Sequence, residues 1–356
     1  DLQQVSGYLQ DKIVMVTGGG GSIGSELCRQ VLTFHPRFLI IIDASENNLF
    51  DIEQELKLAG WSERIVIKLA DIRDRESMER IYQAFRPQVV FHAAAFKHVP
   101  MMERHPEAAL VNNVLGTYNV AGLADKYRVE TFIQISTDKA VNPTSVMGAT
   151  KRIAELVIKD LNRNSSTTFA AVRFGNVLGS RGSVIPTFEK QIEAGGPVTV
   201  THPDMTRYFM TIPEAVELVI QAGAMAKGGE IFVLDMGEPV KILDLARDLI
   251  RLYGLEPWQD IDIVFTGIRP GEKLFEELFS NKEDMSSTIH ERIFISRKEI
   301  DSNYVDIAHT IDSLIRETAN NKEAIIKLLV ELIPEYHHPD YQKQIQAKVI
   351  PMRAAH

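Results

Sequence analysis

A run of four apolar residues, Ile13 to Val16, leads directly into a glycine-rich segment, Thr17 to Gly24, and a helical pattern follows. This order predicts a strand, a tight turn and the start of a helix. Glycine suits the turn, lets a ligand reach bare backbone N–H groups, and allows the helix to pack closely on the strand. We therefore predict a pyrophosphate site formed by Gly18, Gly21, Ser22, Ile23 and Gly24.

A second apolar run, Phe38 to Ile42, ends in Asp43, nineteen residues after Gly24. A carboxylate at that point accepts hydrogen bonds from an adenosine ribose and repels a 2′-phosphate. We therefore expect NAD as the cofactor, with NADP disfavoured by Asp43. The alternative is a glycine-rich loop that closes an ordinary α/β sheet and binds no dinucleotide.

Composition narrows the class of protein further. The chain has 356 residues, 45% of them apolar and 24% charged, as in an ordinary folded protein. Its net charge of −9 disfavours a nucleic-acid partner, and its one cysteine, Cys28, excludes an internal disulfide and a cysteine metal site, so no metal is expected. No run reaches the roughly 18 apolar residues of a membrane span. Because the chain lacks an initiator Met, we expect a fragment from which an N-terminal targeting or membrane segment was removed.

Strand-length apolar runs alternate with helical patterns through the first half of the chain. The later runs are Ile65 to Leu69, Val89 to His92, Thr131 to Ser136 and Phe169 to Phe174. This alternation predicts an α/β fold with a doubly wound parallel sheet, a Rossmann fold. Ligands of such sheets bind beyond the carboxyl ends of the strands. The residues that fall there are Gly18, Asp43, Asp71, Ala93, Ala94, Ala95 and Ser136 to Lys139.

The pattern becomes irregular in the second half, with short strands and helices such as Pro213 to Ala226 and Ile242 to Tyr253. We predict three units. A dinucleotide-binding domain covers residues 1–175 with strands returning from the later chain, and a smaller substrate lobe covers 176–300. A helical tail of structural role covers 301–356, with helical patterns at Ile307 to Arg316 and Lys322 to Leu332.

The chemical centre is predicted at Thr137, Asp138 and Lys139, followed by Met147 and Lys151, which share one helix face. With these residues the chain resembles an extended short-chain dehydrogenase/reductase, and more narrowly the nucleotide-sugar 4,6-dehydratases that act on UDP-N-acetylglucosamine. The resemblance covers about residues 10–280. It is carried by the segments Thr17 to Gly24, Phe91 to Pro100, Ser136 to Lys139, Arg173 to Ser183 and Arg269 to Lys273.

One position departs from the superfamily pattern, which places a Tyr four residues before the active-site Lys. This chain has Met147 there, with no ionisable proton. Met at this position resembles the long, membrane-anchored bacterial branch of these dehydratases, which stays active and retains the configuration at C5. That resemblance implies the cytoplasmic domain of an inner-membrane protein. The alternatives are a catalytically silent NAD-binding protein and, for Met147 itself, a plain core contact.

The resemblance implies a reaction in which hydride leaves sugar C4 for NAD, C5 loses a proton, C6 loses its hydroxyl as water, and the hydride returns to C6. We expect Asp138 as acid and Lys139 as base, sharing one proton as a coupled pair. Lys151 is expected to bind the nicotinamide ribose and to keep Lys139 neutral by repulsion. Thr137 is the candidate for the C4 hydroxyl proton. The alternative for Asp138 and Lys139 is a solvated turn pair.

A UDP-sugar brings two phosphate charges, for which Arg207 and Arg269 are the candidate ligands, with hydrogen bonds from Asn176. Glu272 is expected to accept from the nucleotide ribose, unless Arg269 to Lys273 forms a turn and a capped helix. Arg173 and Arg181 could instead pair with nearby acids. The remaining candidates are Asp71 and Ile72 for the adenine or as a helix N-cap, and Asn113 for the cofactor. Lys97 and His98 are candidates for substrate, and the alternative is a solvated Lys and a hydrogen-bonded structural His.

Two predicted helices, Arg104 to Tyr127 and Ser145 to Leu161, carry apolar stripes. In the superfamily these helices form a four-helix contact between subunits, so a homodimer is expected. Three functions remain: a UDP-N-acetylglucosamine 4,6-dehydratase in bacterial glycan synthesis, a UDP-sugar 4-epimerase, and a silent NAD-binding sensor.

Overall fold

The computed structural model describes residues 2–279, 285–296, Ile311, Ile315 and 321–338. In the first half, strands and helices alternate as predicted. In chain order the elements are α1 (Leu2–Leu9), β1 (Ile13–Thr17), α2 (Ser22–Leu32), β2 (Phe38–Asp43), α3 (Glu46–Leu58), β3 (Ile65–Leu69), α4 (Arg75–Phe85), β4 (Val89–His92), α5 (Val99–Arg104), α6 (Pro106–Ala109), a π-helix (Leu110–Leu115), α7 (Gly116–Lys126), β5 (Thr131–Thr137), a 3₁₀ turn (Asp138–Ala140), α8 (Val146–Asn162) and β6 (Thr168–Phe174).

The second half has shorter strands. Its elements are β7 (Asn176–Val177), α9 (Val184–Glu193), β8 (Val198–Val200), β9 (Thr206–Arg207), β10 (Phe209–Met210), α10 (Ile212–Met225), β11 (Ile231–Leu234), β12 (Val240–Lys241), α11 (Ile242–Leu252), β13 (Ile263–Phe265), β14 (Met285–Ser287), β15 (Ile293–Ser296) and α12 (Lys322–Leu332). The predicted helix Ile307 to Arg316 lies outside the described residues except for Ile311 and Ile315, which are buried.

Nine strands within the described residues form one sheet, in the order β14-β15-β11-β6-β5-β4-β1-β2-β3. Strands β11 to β3 run parallel, and β14 and β15 are antiparallel additions at one edge. The order reverses at β1, between β2 and β4, so a crevice opens where the carboxyl ends of β1 and β4 meet. The predicted doubly wound fold is confirmed.

The smaller lobe is built from three two-stranded sheets, β7 with β10, β8 with β13, and β9 with β12. Its core includes Phe188 and Ile192 of α9, packed near Val198, Ala246 and Ile250. Helix α10 does not belong to this lobe, contrary to the prediction for Pro213 to Ala226. It packs on α1 and α2, because its apolar face continues the core of the large sheet.

The long helix predicted from Arg104 to Tyr127 is interrupted. His105 leaves the helical conformation, with φ −128° and ψ 62°, because the ring of Pro106 disfavours it there. Helix α6, the π-helix and α7 then follow. The predicted helix Ser145 to Leu161 is confirmed as α8, and the Ser145 hydroxyl accepts a hydrogen bond from Gly148 N at 3.0 Å as its N-cap.

Helix α12 packs against α6 and α8. Its side chains Ile325, Leu328 and Leu329 share one buried cluster with Ile153 and Leu156 of α8. The four-helix contact between subunits was predicted for this face, and the chain's own C-terminal segment covers it there. Val111, Leu115 and Leu161 of the predicted stripes are only partly buried, and the homodimer stays a prediction.

Within the described residues, no helix combines the length and the apolar character needed to cross a bilayer.

Candidate active site

The glycine-rich loop after β1 is packed too closely for side chains. Gly18 has φ +67°, and a Cβ placed on it would lie 2.7 Å from the backbone N of Ala94. A Cβ on Gly24 would lie 2.0 Å from the carbonyl oxygen of Gly18. Helix α2 begins at Ser22 with Gly21 as N-cap, so its first N–H groups have no capping side chain at that residue. This cradle of bare backbone at a helix N-terminus fits a dinucleotide pyrophosphate.

The carboxylate of Asp43 supports that loop. Its Oδ2 accepts from Gly20 N at 2.9 Å and its Oδ1 accepts from Ser45 N at 2.9 Å. The sequence pattern gave no sign of this second role. Ribose binding by Asp43 stays a prediction, for which each oxygen retains a further lone pair.

Two other predicted cofactor residues are held by local contacts. Asp71 forms an ion pair with Arg73 at 2.5 Å, and the hydrogen bonds from Arg73 lower the pKa of the Asp71 carboxyl. The N-cap of α4 is Asp74, which accepts from Ser77 N at 3.0 Å, so the N-cap alternative for Asp71 and Ile72 is wrong. Ile72 is buried against Gly116.

Asn113 of the π-helix positions the loop that follows β4. Its side chain accepts from Phe96 N at 2.8 Å and donates to Phe96 O at 3.0 Å, which fixes the segment after Ala93 to Ala95. Ala93 and Ala95 line the cleft described next, whereas Ala94 packs its backbone against Gly18.

A cleft of about 940 Å³ runs from the glycine-rich loop into the smaller lobe. The predicted residues among its lining are Gly18, Gly21, Ser22, Ile23, Gly24, Ala93, Ala95, Lys97, His98, Thr137, Lys139, Met147, Lys151, Asn176, Arg207, Arg269 and Glu272. The structure therefore gathers these residues from both halves of the chain at the carboxyl end of the sheet. The lining does not include the predicted residues Asp43, Asp71, Ile72, Ala94, Asn113 and Asp138.

The side chains that follow β5 form a chain of hydrogen bonds and charges. Thr137 Oγ1 donates to Asp138 Oδ1 at 2.9 Å, and Lys139 Nζ donates to the same oxygen at 3.0 Å. Lys139 Nζ also donates to Asn176 Oδ1 at 3.1 Å and lies 3.6 Å from Glu276 Oε1. The Asp138 side chain is fully buried, so the alternative of a solvated turn pair is wrong.

Opposing effects decide the charge of Lys139. Burial lowers the pKa of Lys139, but the negative charges of Asp138 and Glu276 outweigh burial and leave the pKa above its ordinary value. Arg207, and not Lys151 as predicted, is the cation whose repulsion opposes this rise. In the protein without ligands, Lys139 is therefore an ammonium held by two carboxylates.

Lys151 and Met147 face the cleft one helical turn apart on α8. Lys151 Nζ donates to Ile135 O at 2.7 Å, and burial lowers the pKa of Lys151 to about 8. Met147 is buried in the core cluster that includes Val99 and Met102, and it also lines the cleft. Met147 is therefore a core residue as well as a cleft residue, and its role beside the nicotinamide stays a prediction.

Lys97 and His98 contact a loop that crosses over the cleft. Lys97 Nζ donates to Ser180 Oγ at 3.4 Å, and burial and the repulsion of Lys139 lower the pKa of Lys97. The His98 ring lies against Gly182, where a Cβ would approach Cε1 to 2.7 Å. In the same loop, Arg181 donates to Asn48 Oδ1 and to Ser22 Oγ through its backbone N.

Arg207 does not present a free guanidinium fork to phosphate. Its NH1 donates to Thr206 O at 2.7 Å and its NH2 donates to Lys273 O at 2.8 Å. Arg207 therefore holds residues 273–276 beside β9. Arg269 and Glu272 pair with each other at 2.5 Å on a stretch without helix, so the alternative of a capped helix is wrong.

Glu276 is the site residue that the sequence analysis missed. Its side chain is 3% exposed and lines the cleft, with Oε1 3.6 Å from Lys139 Nζ and 3.8 Å from Arg207 Nε. Within the described residues, its Oε2 is buried and has no hydrogen-bond partner. In sequence it stands beside Glu277 after an apolar pair, a pattern that does not separate a buried acid from an exposed one.

Two buried networks brace the sheet beneath the cleft. His92 bonds Thr17 Oγ1 at 2.7 Å and Thr117 Oγ1 at 2.9 Å, and burial lowers the pKa of His92 to about 3. Arg173 donates to both oxygens of Glu155, at 2.7 and 2.8 Å, which confirms that it pairs with an acid.

The fold and this cleft are those of an extended short-chain dehydrogenase/reductase, as predicted. A family model described as "Polysaccharide biosynthesis protein" matches residues 14–298, and the chain belongs to that family.

Three individual proteins show how the chain relates to known ones. It is 54% identical over 332 residues to the capsular polysaccharide biosynthesis protein CapD of Staphylococcus aureus, covering 92% of this chain and 54% of CapD. The chain thus spans about half the length of that relative. A UDP-glucose 4-epimerase of Rickettsia canadensis is 36% identical, over 78% of this chain and 80% of the epimerase. The X-ray structure of Pen from Bacillus thuringiensis superposes with a TM-score of 0.76 at 33% identity, over 87% of this chain and 98% of Pen.

Proposed function

We propose that the chain is the catalytic part of an NAD-dependent UDP-N-acetylglucosamine 4,6-dehydratase (a lyase) in bacterial polysaccharide synthesis. The product is UDP-2-acetamido-2,6-dideoxy-α-D-xylo-hexos-4-ulose, with the configuration at C5 retained. The observation that carries the proposal is the hydrogen-bonded pair of Asp138 and Lys139, with Lys139 lining the cleft near Met147 and Lys151. An acid and a base side by side are what removal of the C5 proton and the C6 hydroxyl requires.

NAD is the proposed cofactor. Bound at the glycine-rich loop, it would supply the group that accepts the hydride from C4 and returns it to C6. Gly18, Gly21, Ser22, Ile23 and Gly24 would hold its pyrophosphate, and Asp43 its adenosine ribose. Asp71 and Ile72 would contact the adenine, and Asn113 would act through the loop that it fixes. Lys151 would donate to the nicotinamide ribose.

The hydrogen bond from Thr137 Oγ1 to Asp138 Oδ1 supports a proton relay through these two side chains as the first step. The C4 hydroxyl gives its proton to Thr137, which passes its own to Asp138. This relay replaces the phenol that Met147 lacks. Lys139 in its neutral form then takes the C5 proton, and Asp138 gives its proton to the departing C6 hydroxyl, which leaves as water. Lys139 finally returns its proton to C5.

Arg269, at the rim of the cleft, would bind the diphosphate of the substrate. The Arg269 side chain is 56% exposed, so its guanidinium can exchange Glu272 for phosphate oxygens and release Glu272 to the nucleotide ribose. Lys97 and His98 would contact the sugar of the substrate. Arg207 contributes by holding residues 273–276, and Asn176 by accepting a hydrogen bond from Lys139.

The name of CapD supports a place in capsular polysaccharide synthesis. The proposed location is the cytoplasmic face of the membrane. The epimerase from Rickettsia supports a second candidate, a UDP-sugar 4-epimerase. An epimerase shares hydride transfer at C4 but needs no acid and base at C5 and C6.

Incubation with UDP-N-acetylglucosamine and NAD, followed by mass spectrometry, separates the candidates. A dehydratase gives a product lighter by one water, and this is the expected result. Unchanged mass with an inverted C4 would establish the epimerase instead. Tight NAD binding with unaltered sugar would establish the silent sensor.

A further inference from the structure

The buried carboxylate of Glu276 has no assigned role, although it faces the proposed base. Lys139 Nζ is surrounded by Asp138 Oδ1 at 3.0 Å, Asn176 Oδ1 at 3.1 Å and Glu276 Oε1 at 3.6 Å. Asn176 cannot accept a proton, so two carboxylates share one ammonium. Glu276 Oε2 is buried without a partner among the described residues, an arrangement that costs free energy unless the site uses it.

Counting protons shows why a second carboxylate is needed. At the outset Lys139 is an ammonium, and Asp138 and Glu276 are carboxylates. Asp138 gains the proton of the C4 hydroxyl through Thr137. Lys139 must then lose its own proton before it can take one from C5, and Asp138 can no longer receive it.

We propose that Glu276 accepts the ammonium proton of Lys139 after Asp138 has been protonated, and returns it when the catalytic cycle closes. This inference rests on the proposed dehydratase function. The steps balance. The C4 hydroxyl proton leaves with the C6 oxygen as water, the C5 proton goes to Lys139 and back, and one proton shuttles between Lys139 and Glu276.

The surrounding charges favour this order of events. Protonation of Asp138 removes the negative charge closest to Lys139, and so weakens the stabilisation of the ammonium. The like charges of Arg207 and Lys97 also disfavour the ammonium form of Lys139. In a cleft closed by substrate, a neutral amine beside a neutral carboxyl avoids the desolvation of an ion pair.

The test is a single turnover of the Glu276→Gln variant with UDP-N-acetylglucosamine and NAD in deuterated water, quenched and analysed by mass. Glutamine keeps the shape and removes the proton acceptor. We expect sugar that is oxidised at C4 but not dehydrated to accumulate, with elimination slowed about 100-fold or more, in the range for loss of one proton-transfer group. Glu276→Asp, which keeps a carboxylate, should restore part of the elimination rate. Glu277→Gln is the matched control, because that neighbour pairs with Lys273 and lies outside this chain of charges.

A second readout needs neither substrate nor cofactor. NMR titration of ¹³C-labelled lysine should show a lower pKa for Lys139 in Glu276→Gln than in the wild type, since a negative charge has been removed. Elimination at the wild-type rate in Glu276→Gln would overturn the proposal. Equal slowing of C4 oxidation and elimination would also overturn it, because Glu276 would then only hold the site together. If the wild type itself releases no dehydrated sugar, the proposed function fails. A pKa of Lys139 in Glu276→Gln equal to that in the wild type would show separately that Lys139 and Glu276 are not coupled.

Discussion

Asp138 and Lys139 are neighbours in sequence whose side chains meet, with Nζ of Lys139 3.0 Å from Oδ1 of Asp138. Adjacent residues of an extended strand point to opposite faces of the sheet. The contact forms because β5 ends at Thr137 and residues 138–140 turn as a 3₁₀ helix. The Asp138 side chain is fully buried and that of Lys139 is 20% exposed, so the carboxyl lies behind the amine that reaches the cleft.

Gly24→Ala should abolish tight binding of the dinucleotide. The added Cβ would lie 2.0 Å from the carbonyl oxygen of Gly18, so the backbone of the cradle must shift. We expect NAD affinity, measured by calorimetry, to fall at least tenfold, about 1.4 kcal/mol. Gly122→Ala is the matched control, since its Cβ would meet Arg75 at 3.6 Å, an ordinary contact. That helical substitution should stabilise the fold by roughly 0.5–1 kcal/mol. Unchanged NAD affinity in Gly24→Ala would contradict the proposal that the glycine-rich loop binds the pyrophosphate of NAD.

Asp43→Asn should weaken the preference for NAD over NADP. The amide keeps one oxygen for the loop but loses the negative charge that repels a 2′-phosphate. The ratio of the two dissociation constants should move toward NADP by about tenfold, or about 1.4 kcal/mol. Asp51→Asn, on the exposed side of α3, should leave the ratio as it is. A ratio that stays constant in Asp43→Asn would show that this carboxylate serves the loop alone.

Glu155→Gln should be strongly destabilising. Glu155 is buried, and it receives both bonds from buried Arg173 and another from Arg152 at 3.0 Å. Removing one partner of a buried ion pair leaves the other charge uncompensated, which costs about 3–5 kcal/mol. Urea unfolding measures the loss. Glu53→Gln, which breaks the partly exposed pair with Lys57, should cost less than about 1 kcal/mol, and equal losses would contradict the network.

His92 should make the fold sensitive to mild acid. Burial holds the pKa of His92 at about 3 in the folded protein, below its ordinary value of 6.5. Between these pH values the unfolded chain binds a proton that the folded chain does not, so the free energy of unfolding falls as the pH falls. The slope for this group approaches about 1.4 kcal/mol per pH unit. Urea unfolding from pH 4 to 7 should show this slope in the wild type and lack it in His92→Asn. Parallel curves would show that His92 is not buried as described.

The strands of the large sheet could be predicted from the sequence. Runs such as Ile13 to Val16 are apolar throughout because they lie in a parallel sheet that is buried on both faces. The sequence was also sufficient to place Gly18, Lys139 and Lys151 at one crevice, since the carboxyl ends of parallel strands share an edge. It failed where long-range packing decides. The apolar face of α10 does not reveal which core it joins, and the sequence does not distinguish Glu276 from its partly exposed neighbour Glu277. The charge of Lys139 was predicted only in part, because the attraction of Asp138 follows from adjacent residues, whereas that of Glu276 comes from a residue distant in sequence.

Solvent deuterium at C5 tests the central claim most directly. Wild-type protein and Lys139→Ala are incubated with UDP-N-acetylglucosamine and NAD in deuterated water, and the nucleotide sugars are analysed by mass spectrometry and NMR. We predict that the wild type forms a product lighter by one water with deuterium at C5, and that Lys139→Ala forms none while it still binds NAD. Dehydration with C5 deuterium at an undiminished rate in Lys139→Ala would contradict the account.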